Sequence, residues 1–277
     1  MVGSLSVVHA SADYASPTDR VQVRLDGKAL HIVFNNPARH NALSLDMWGA
    51  VPPLLAQAAT DERVRLVVFS GAGDKAFVSG ADISQFEDLR AAKAAVTHYE
   101  TLAEEALMGI YNFSKPTLAC VRGWCIGGGL NVAISCDIRI AASDAVFSIP
   151  AGRMGLGYRY SALKNLVDLI GVGAAKDMFF TARRLDAAEA LRIGLVSRSC
   201  AVDQLPALLA EYTSSIGDNA PLTLFAAKSI LGEILKASPE LDTEHCRRLI
   251  LRCFESDDYT EGRRAFMEKR KPQFQGR

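Results

Sequence analysis

Cys120-Val-Arg-Gly-Trp-Cys-Ile-Gly-Gly-Gly-Leu-Asn131 is the stretch around which the 277-residue chain is organised. Leu118 to Val121 reads as a buried strand and Gly127-Gly128-Gly129 as a turn without Cβ atoms. Leu130 to Ser135 reads as a helix whose Leu, Val, Ala and Ile side chains pack inward, with the apolar run continuing to Cys136. A glycine turn that opens a helix leaves backbone N–H groups free and adds the positive end of the helix dipole. Such a terminus accepts an anion, or an oxygen that becomes anionic during a reaction. Glycine triplets serve equally in ordinary tight turns, so the stretch needs a second one beside it.

Leu66-Val-Val-Phe-Ser-Gly-Ala-Gly-Asp-Lys-Ala-Phe-Val-Ser-Gly-Ala-Asp-Ile83 is that second stretch, a buried strand followed by a glycine-punctuated loop. Gly80-Ala81-Asp82 offers another N–H toward the same point in space. Two N–H groups from separate loops make an oxyanion hole, which stabilises charge developing on a carbonyl oxygen.

Composition narrows the surroundings. Apolar residues make up 49% of the chain, enough for one sizeable core with or without a smaller appendage. A formal net charge of zero argues against a nucleic-acid or membrane-surface protein. No apolar run approaches the roughly 18 residues that would span a bilayer. Residues 1–16 lack a basic start followed by a long apolar stretch and read as a flexible leader rather than a secretory signal. The six cysteines (120, 125, 136, 200, 246, 253) show no CxxC and no ligand spacing with the five histidines, so no metal is expected. Several lie in apolar runs, as reduced core residues of a cytoplasmic protein do.

Along the chain, Val21 to Leu25 and Ala29 to Phe34 flank Asp26-Gly27 as a hairpin. Ser44 is placed to cap a helix through about Thr60, which Pro52-Pro53 would kink or restart. Arg65 to Ser70 is the next strand, and Ala91 to Tyr111 a long amphipathic helix carrying Val96, Tyr99, Leu102, Ala106 and Ile110 on one stripe. Thr117 to Val121, Asp137 to Ala142 and Val146 to Ile149 are short strands, which with the intervening helices predict an α/β core. Tyr160 to Ile170, Ala174 to Thr181 and Ala187 to Arg192 read as helices and Leu195 to Arg198 as a strand. Helices over Val202 to Ile216, Leu222 to Leu235, Leu241 to Glu255 and Asp258 to Lys269 follow. The expected division is a core over residues 17–200 and a helical region over residues 201–277.

Taken together these motifs resemble the crotonase superfamily, the enoyl-CoA hydratase/isomerase family. The resemblance rests on Asn41-Ala-Leu43, Phe77-Val-Ser-Gly-Ala-Asp-Ile83, Lys115-Pro116 and Gly123-Trp-Cys-Ile-Gly-Gly-Gly129. Cys136-Asp137, Ala190 to Val196 and Glu268 to Phe274 extend it in family order from about Val21 to Phe274. It implies a spiral of strand-strand-helix repeats with a helical C-terminal trimerisation region, assembled as a homotrimer or a hexamer made of two trimers. It implies an acyl-CoA substrate, coenzyme A entering as part of that substrate with no separate cofactor. The Ala81 and Gly128 N–H groups would hold the thioester carbonyl, with Gly80, Asp82, Ile83, Gly127 and Ala42 around them. Arg39 and His40 lie where relatives contact the nucleotide, although Ala38 stands where a lysine is frequent. Phe266 and Lys269 match positions from which a C-terminal helix reaches the adenine end.

The acid/base groups depart from the pattern. Hydratases of the family carry a glutamate two residues after the glycine triplet and another just after the proline that follows the Phe-x strand, here Asn131 and Ala151. Adding water across a double bond needs carboxylates to hold and deprotonate it. Asn131 can orient a water but not deprotonate it at neutral pH, and Ala151 can do neither. Single-glutamate isomerases rely on the second position. The loop Arg153-Met-Gly-Leu-Gly-Tyr-Arg-Tyr160 resembles that of the methylmalonyl-CoA decarboxylases, where a tyrosine corresponding to Tyr158 lies in the site. Ser256 to Gly262 and Lys269 to Phe274 continue the likeness, while Ala81 and Asn131 replace that relative's histidine and glutamate. Loss of CO2 leaves a thioester enolate and needs no water-activating pair. Arg153 and Arg159 are candidate partners for a substrate carboxylate. Asp82 and Asp137 are expected to tie down loops. Glu87, Asp88 and Arg90 line the segment after the oxyanion loop, and His98 is isolated. Decarboxylation or isomerisation is therefore expected ahead of hydration with a substitute base. A chain that binds acyl-CoA with little catalysis is the reading from another class.

Overall fold

A strand packed on both faces needs apolar residues at successive positions, and Leu66–Gly71 (β3), Thr117–Val121 (β5) and Ile138–Ala142 (β7) supply them. In the computed structural model, which describes residues 14–82, 93–154, 156–236 and 242–277, they form the middle of a six-stranded sheet. Val21–Asp26 (β1) and Ala29–Phe34 (β2) join one side as an antiparallel hairpin, and Arg198–Cys200 (β10) closes the other, giving the order β1-β2-β3-β5-β7-β10. The β2-β3, β3-β5, β5-β7 and β7-β10 pairs are parallel. Ala76–Val78 (β4), Trp124–Ile126 (β6), Val146–Ser148 (β8) and Leu185–Asp186 (β9) form a second sheet in that order.

Among the described residues the helices are Leu45–Thr60 (α1), Lys93–Tyr111 (α2), Gly128–Ser135 (α3), Tyr160–Thr181 (α4), Ala187–Arg192 (α5), Leu205–Gly217 (α6), Pro221–Ile234 (α7), Thr243–Phe254 (α8) and Asp257–Glu268 (α9). Chain order now explains the architecture. The runs β3-β4-α2, β5-β6-α3 and β7-β8-α4 each place one strand in each sheet and then a helix, which is a strand-strand-helix spiral followed by a helical part. Alternate residues of the central strands serve two cores. Val67, Phe69, Ala119, Val121 and Ala141 pack toward the second sheet and α1, while Leu66, Val68, Leu118, Cys120, Ile140 and Ala142 pack on Leu205 and Leu208 of α6.

Several expectations are corrected by packing. Pro52 and Pro53 do not restart the helix, since α1 runs through both; they lie away from the buried stripe of Met47, Trp48, Val51, Leu54, Leu55 and Ala58. Burial of that stripe outweighs the roughly 3 kcal/mol that an interior proline costs. Ser44 precedes the helix, but its hydroxyl donates to the Asp46 carboxylate instead of capping a backbone N–H. The glycine triplet is not a separate turn, because Gly128 and Gly129 already belong to α3. The strand expected at Leu195 to Arg198 is found at Arg198–Cys200; Leu195 and Val196 are core residues in the preceding turn. The gap at Gly171-Val-Gly173 is narrower than expected, a single residue, Gly171, with φ +75° inside α4.

All six cysteines are unpaired. Burial pushes the thiols of Cys120 and Cys136 up to about 12, and that of Cys125 well above the ordinary value. Among the described residues no helix is long and apolar enough to cross a membrane, and no group of three His, Cys, Asp or Glu residues is arranged to hold a metal ion.

His31 on β2 is 6% exposed, and burial, reinforced by the Arg24 charge, lowers its pKa from 6.5 to about 4. The unfolded chain therefore takes up this proton first as pH falls. The group's contribution to stability is complete above about pH 6.5 and is lost down to about pH 4, on the order of 3 kcal/mol in all. Urea midpoints of wild type and His31→Leu should converge differently across that window. The variant is expected to lose this part of the acid sensitivity, and an unchanged pH slope would show that His31 does not carry it.

Candidate active site

The ends of β4 and β6 meet where the two glycine loops begin. β4 and β6 run parallel, with Val78 opposite Cys125, so the residues beyond them emerge side by side. Gly127 takes φ +52° and ψ −112°, a conformation that favours glycine, and its N–H donates to Ser148 O at 2.9 Å. The first backbone bond into α3 runs from Asn131 N to Gly127 O at 3.0 Å, which leaves the Gly128 N–H outside the helical ladder. On the other loop Gly80 takes φ +119°. Leu43 N–H donates to Gly80 O and Asp82 N–H to Leu43 O, both at 2.8 Å. In this parallel bridge the Ala81 N–H faces away from Leu43. Among the described residues, neither the Ala81 nor the Gly128 N–H is taken by a backbone acceptor.

The two loops lie close together. A Cβ placed on Gly128 would lie 3.9 Å from the Gly80 carbonyl carbon, 3.9 Å from Leu43 Cδ1 and 3.6 Å from Trp48 Cζ2. The same atom on Gly129 would lie 2.2 Å from Val78 O, so the absence of a side chain there is what lets α3 rest on β4. Trp48, 2% exposed on α1, donates its indole N–H to the Tyr99 hydroxyl at 2.8 Å. The two rings meet edge to face, and burial raises the Tyr99 phenol to about 12. An indole-phenol pair thus supports the Gly128 turn from beneath.

Asn41 holds the first loop in place. It is fully buried with φ +56°. Its Nδ2 donates to Ala72 O at 2.9 Å and Ala76 O at 2.7 Å, and its Oδ1 accepts from Asn36 N–H at 2.9 Å. Around it, His40 sits exposed at φ +52°, with its carbonyl accepting the Ser79 N–H, and Ala42 is buried. Arg39 donates to the buried Asp82 carboxylate at 3.1 Å, tying the Arg39-His40 turn to the Gly80–Asp82 loop. Asp137 likewise ties strand ends, accepting from Thr117 N–H and hydroxyl and from Lys228.

Asn131 lies one turn along α3 from Gly128. Its Oδ1 accepts the Tyr158 hydroxyl at 2.9 Å, so two residues named separately from the sequence are in contact. Tyr158 also packs edge to face on Phe179, with ring centroids 5.3 Å apart. Burial raises its phenol pKa, with the Asn131 hydrogen bond pulling the other way, so it is a neutral donor at physiological pH. Ala151 is buried at 4% exposure, opening a short 3-10 turn.

Other candidates are placed differently. Arg159 is engaged by α2, donating to Glu100 and, at 3.1 Å, to Glu104; this corrects its reading as a carboxylate receptor, since two carboxylates one helical turn apart already hold the guanidinium. Arg153 and Lys269 are exposed, and His98 is exposed on α2. Ile83, Glu87, Asp88, Arg90 and the side chain of Phe266 lie outside the described residues. Trp48, Tyr99 and Asn41 were not named as supports of the site. The Trp48-Tyr99 contact spans 51 positions and leaves no local signal, although Asn41 stands in a motif already singled out.

The fold is thus a strand-strand-helix spiral in which, among the described residues, the Gly80 loop and the Gly128 end of α3 lie close together. The family model for enoyl-CoA hydratase/isomerase matches residues 26–277, and the chain belongs to that family. It is 31% identical over 253 residues to the short-chain-enoyl-CoA hydratase of Clostridium acetobutylicum, covering 91% of this chain and 96% of that one. It is 29% identical over 265 residues to the peroxisomal Delta(3,5)-Delta(2,4)-dienoyl-CoA isomerase of Arabidopsis thaliana, covering 92% and 95%. Among solved structures, an enoyl-CoA hydratase/carnithine racemase from Magnetospirillum magneticum superposes with a TM-score of 0.90 at 31% identity, covering 95% and 97% of the two chains.

Proposed function

We propose that the chain acts on an acyl-CoA thioester through an enolate held by the Ala81 and Gly128 N–H groups, and that it favours decarboxylation or isomerisation over hydration. The observation that supports this reading is the proximity of the Gly80 loop to the Gly128 end of α3, where a Cβ on Gly128 would come within 3.9 Å of the Gly80 carbonyl carbon, with neither N–H taken by a backbone acceptor among the described residues. Its relatives' names include a short-chain-enoyl-CoA hydratase and a dienoyl-CoA isomerase. Coenzyme A then enters as part of the substrate, with no separate cofactor, and Arg39, His40, Phe266 and Lys269 are the residues proposed to meet its nucleotide end.

The preference among reactions comes from the second half of the site. Asn131 and Tyr158 are both neutral, and Ala151 carries no functional group. Such a pair can orient a carboxylate and donate a hydrogen bond, but it cannot take a proton from water. Departure of CO2 passes its electron pair into the thioester, where two N–H donors stabilise the oxygen, and the α-carbon is then protonated. Hydration remains the second reading because the Clostridium relative at 31% identity is named a hydratase.

Purified protein should be given crotonyl-CoA and methylmalonyl-CoA in parallel and followed by mass spectrometry. Loss of CO2 from the second is the expected outcome; gain of water on the first would replace this reading with hydration by a substitute base. Binding of both without turnover would leave an acyl-CoA-binding protein. Tyr158→Phe keeps the ring on Phe179 and removes the hydroxyl, so kcat is expected to fall by about 10- to 100-fold with stability changed by about 1 kcal/mol. Wild-type kcat in that variant would remove Tyr158 from the chemistry.

The assembly is proposed as a trimer or a pair of trimers in the cytoplasm. Leu231 and Ile234 on α7 and Ile250, Leu251 and Phe254 on α8 are 46% to 66% exposed, an apolar surface suited to a neighbouring copy. Light scattering giving a monomer would overturn it.

A further inference from the structure

At the opposite end of α3 from Gly128 stands Arg139, a residue of β7 that is 3% exposed. Its Nε donates to Leu195 O at 2.8 Å, Nη1 to Cys136 O at 2.6 Å and Ala133 O at 3.4 Å, and Nη2 to Asp137 O at 3.3 Å. Every one of these acceptors is a backbone carbonyl. Ala133 belongs to the last turn of α3 and Cys136 is its C-cap residue. The adjacent carboxylate, Asp137, is directed instead to Thr117 and to Lys228 at 2.7 Å. The local balance of Arg139, Lys228 and Asp137 is therefore one net positive charge, and the arginine's share of it is buried.

Burying a guanidinium without a carboxylate is costly, and hydrogen bonding to four carbonyls is one function it serves. Its position gives it another. α3 has eight residues, about 12 Å from end to end. The negative end of a helix dipole opposes the potential at its positive end, and a cation at the carbonyl end removes that opposition and adds its own field. The space between is packed with protein: Val132, Ala133 and Cys125 are fully buried. The Cys125 thiol, three residues before Gly128, lies within electrostatic reach of Arg139.

We propose that Arg139 is a positioning residue for the reaction, holding the carbonyl end of α3 and strengthening the positive potential at the Gly128 N–H where negative charge develops on the thioester oxygen. The inference rests on the reading of Ala81 and Gly128 as the oxyanion donors. A charge about 12 Å away through protein contributes roughly three- to tenfold to kcat. It changes KM less than kcat, because the field polarises the bound thioester carbonyl and acts more strongly on the larger negative charge of the transition state.

The test uses acetyl-CoA carrying 13C at the thioester carbonyl, with isotope-edited infrared spectra of the full-length wild type, Arg139→Lys and Arg139→Gln. Wild type is expected to lower the bound carbonyl frequency relative to free acetyl-CoA. Arg139→Gln is expected to lose a clear part of that shift. Arg139→Lys should keep it at acidic pH, where the ammonium is charged, and lose it as pH rises, because burial lowers an ammonium pKa. If Arg139→Gln does not fold, the pH series on Arg139→Lys decides alone. A carbonyl band at the wild-type position in every folded variant at every pH would overturn the inference. So would equal, pH-independent losses in both variants, which mark a purely structural arginine. An unshifted or unbound thioester in wild type would instead sink the oxyanion reading itself, and the role of Arg139 with it.

Discussion

Gly128→Pro is expected to lower kcat on the thioester substrate by about 10²- to 10³-fold while the protein stays folded. Folding survives the change because of where Gly128 stands. Gly128 is the first residue of α3 and Gly127 its cap, and the first helical position is where proline's fixed φ and missing N–H suit a helix. The N–H being deleted serves no bond within the helix, since the ladder starts at Asn131. An added Cβ would meet Trp48 Cζ2 at 3.6 Å and Leu43 Cδ1 at 3.9 Å, ordinary contact distances. Gly128→Ala is the control: it keeps the N–H and adds a methyl group of similar reach, and kcat within about threefold of wild type is expected. Equal losses in the two variants would mean that bulk is responsible, and wild-type turnover by the proline variant would dismiss Gly128 as a donor.

One residue along, Gly129→Ala should act on stability instead. Its Cβ would meet Val78 O at 2.2 Å, Val78 Cβ at 2.7 Å and Val78 C at 2.9 Å. Two of those atoms are backbone, and β4 has little freedom to retreat: it is paired with β6, and Ala76 O is held by Asn41. Either α3 or β4 must shift, at about 3 kcal/mol or more, lowering Tm by roughly 6 to 12 °C in a chain of this size. Because the shift moves the Gly128 turn away from Gly80, activity should fall even well below the new Tm. Gly157→Ala provides the contrast, as a Cβ there meets nothing within 4 Å, and a neutral result within about 0.5 kcal/mol is expected. A thermal scan showing both variants alike would refute the packing argument.

Why some of this was legible before the structure and some was not follows from sequence distance. The buried strands declare themselves through consecutive apolar residues, and the two glycine loops through positions that no other residue fills. Leu185–Asp186 and Trp124–Ile126 gave no such signal, because two or three residues cannot display a period. Pro52 and Pro53 misled because a local rule about helix breaking was overridden by the burial of Trp48 and its neighbours. Asn131 and Tyr158 could each be named, but their hydrogen bond joins positions 27 apart. Arg159 looked available from its loop because Glu100 and Glu104, which hold it, lie 59 and 55 residues away. Arg139 carries no signal of its own in the sequence; only the folded packing places the carbonyls of Ala133, Cys136 and Leu195 around it.

The depth of Cys125 turns this thiol into a clock for motion. It ends no turn and touches no solvent, yet it sits on β6 immediately before the glycine turn. Alkylating reagents attack the thiolate, and burial holds this sulfur in the thiol form. Modification therefore waits for β6 to part from β4 and β8, and its rate, set against that of the partly exposed Cys246 and Cys253, counts how often the second sheet opens. Substrate bound across the Gly80 and Gly128 turns would slow that clock, so reagent chemistry at a silent cysteine reads ligand occupancy without any assay of turnover.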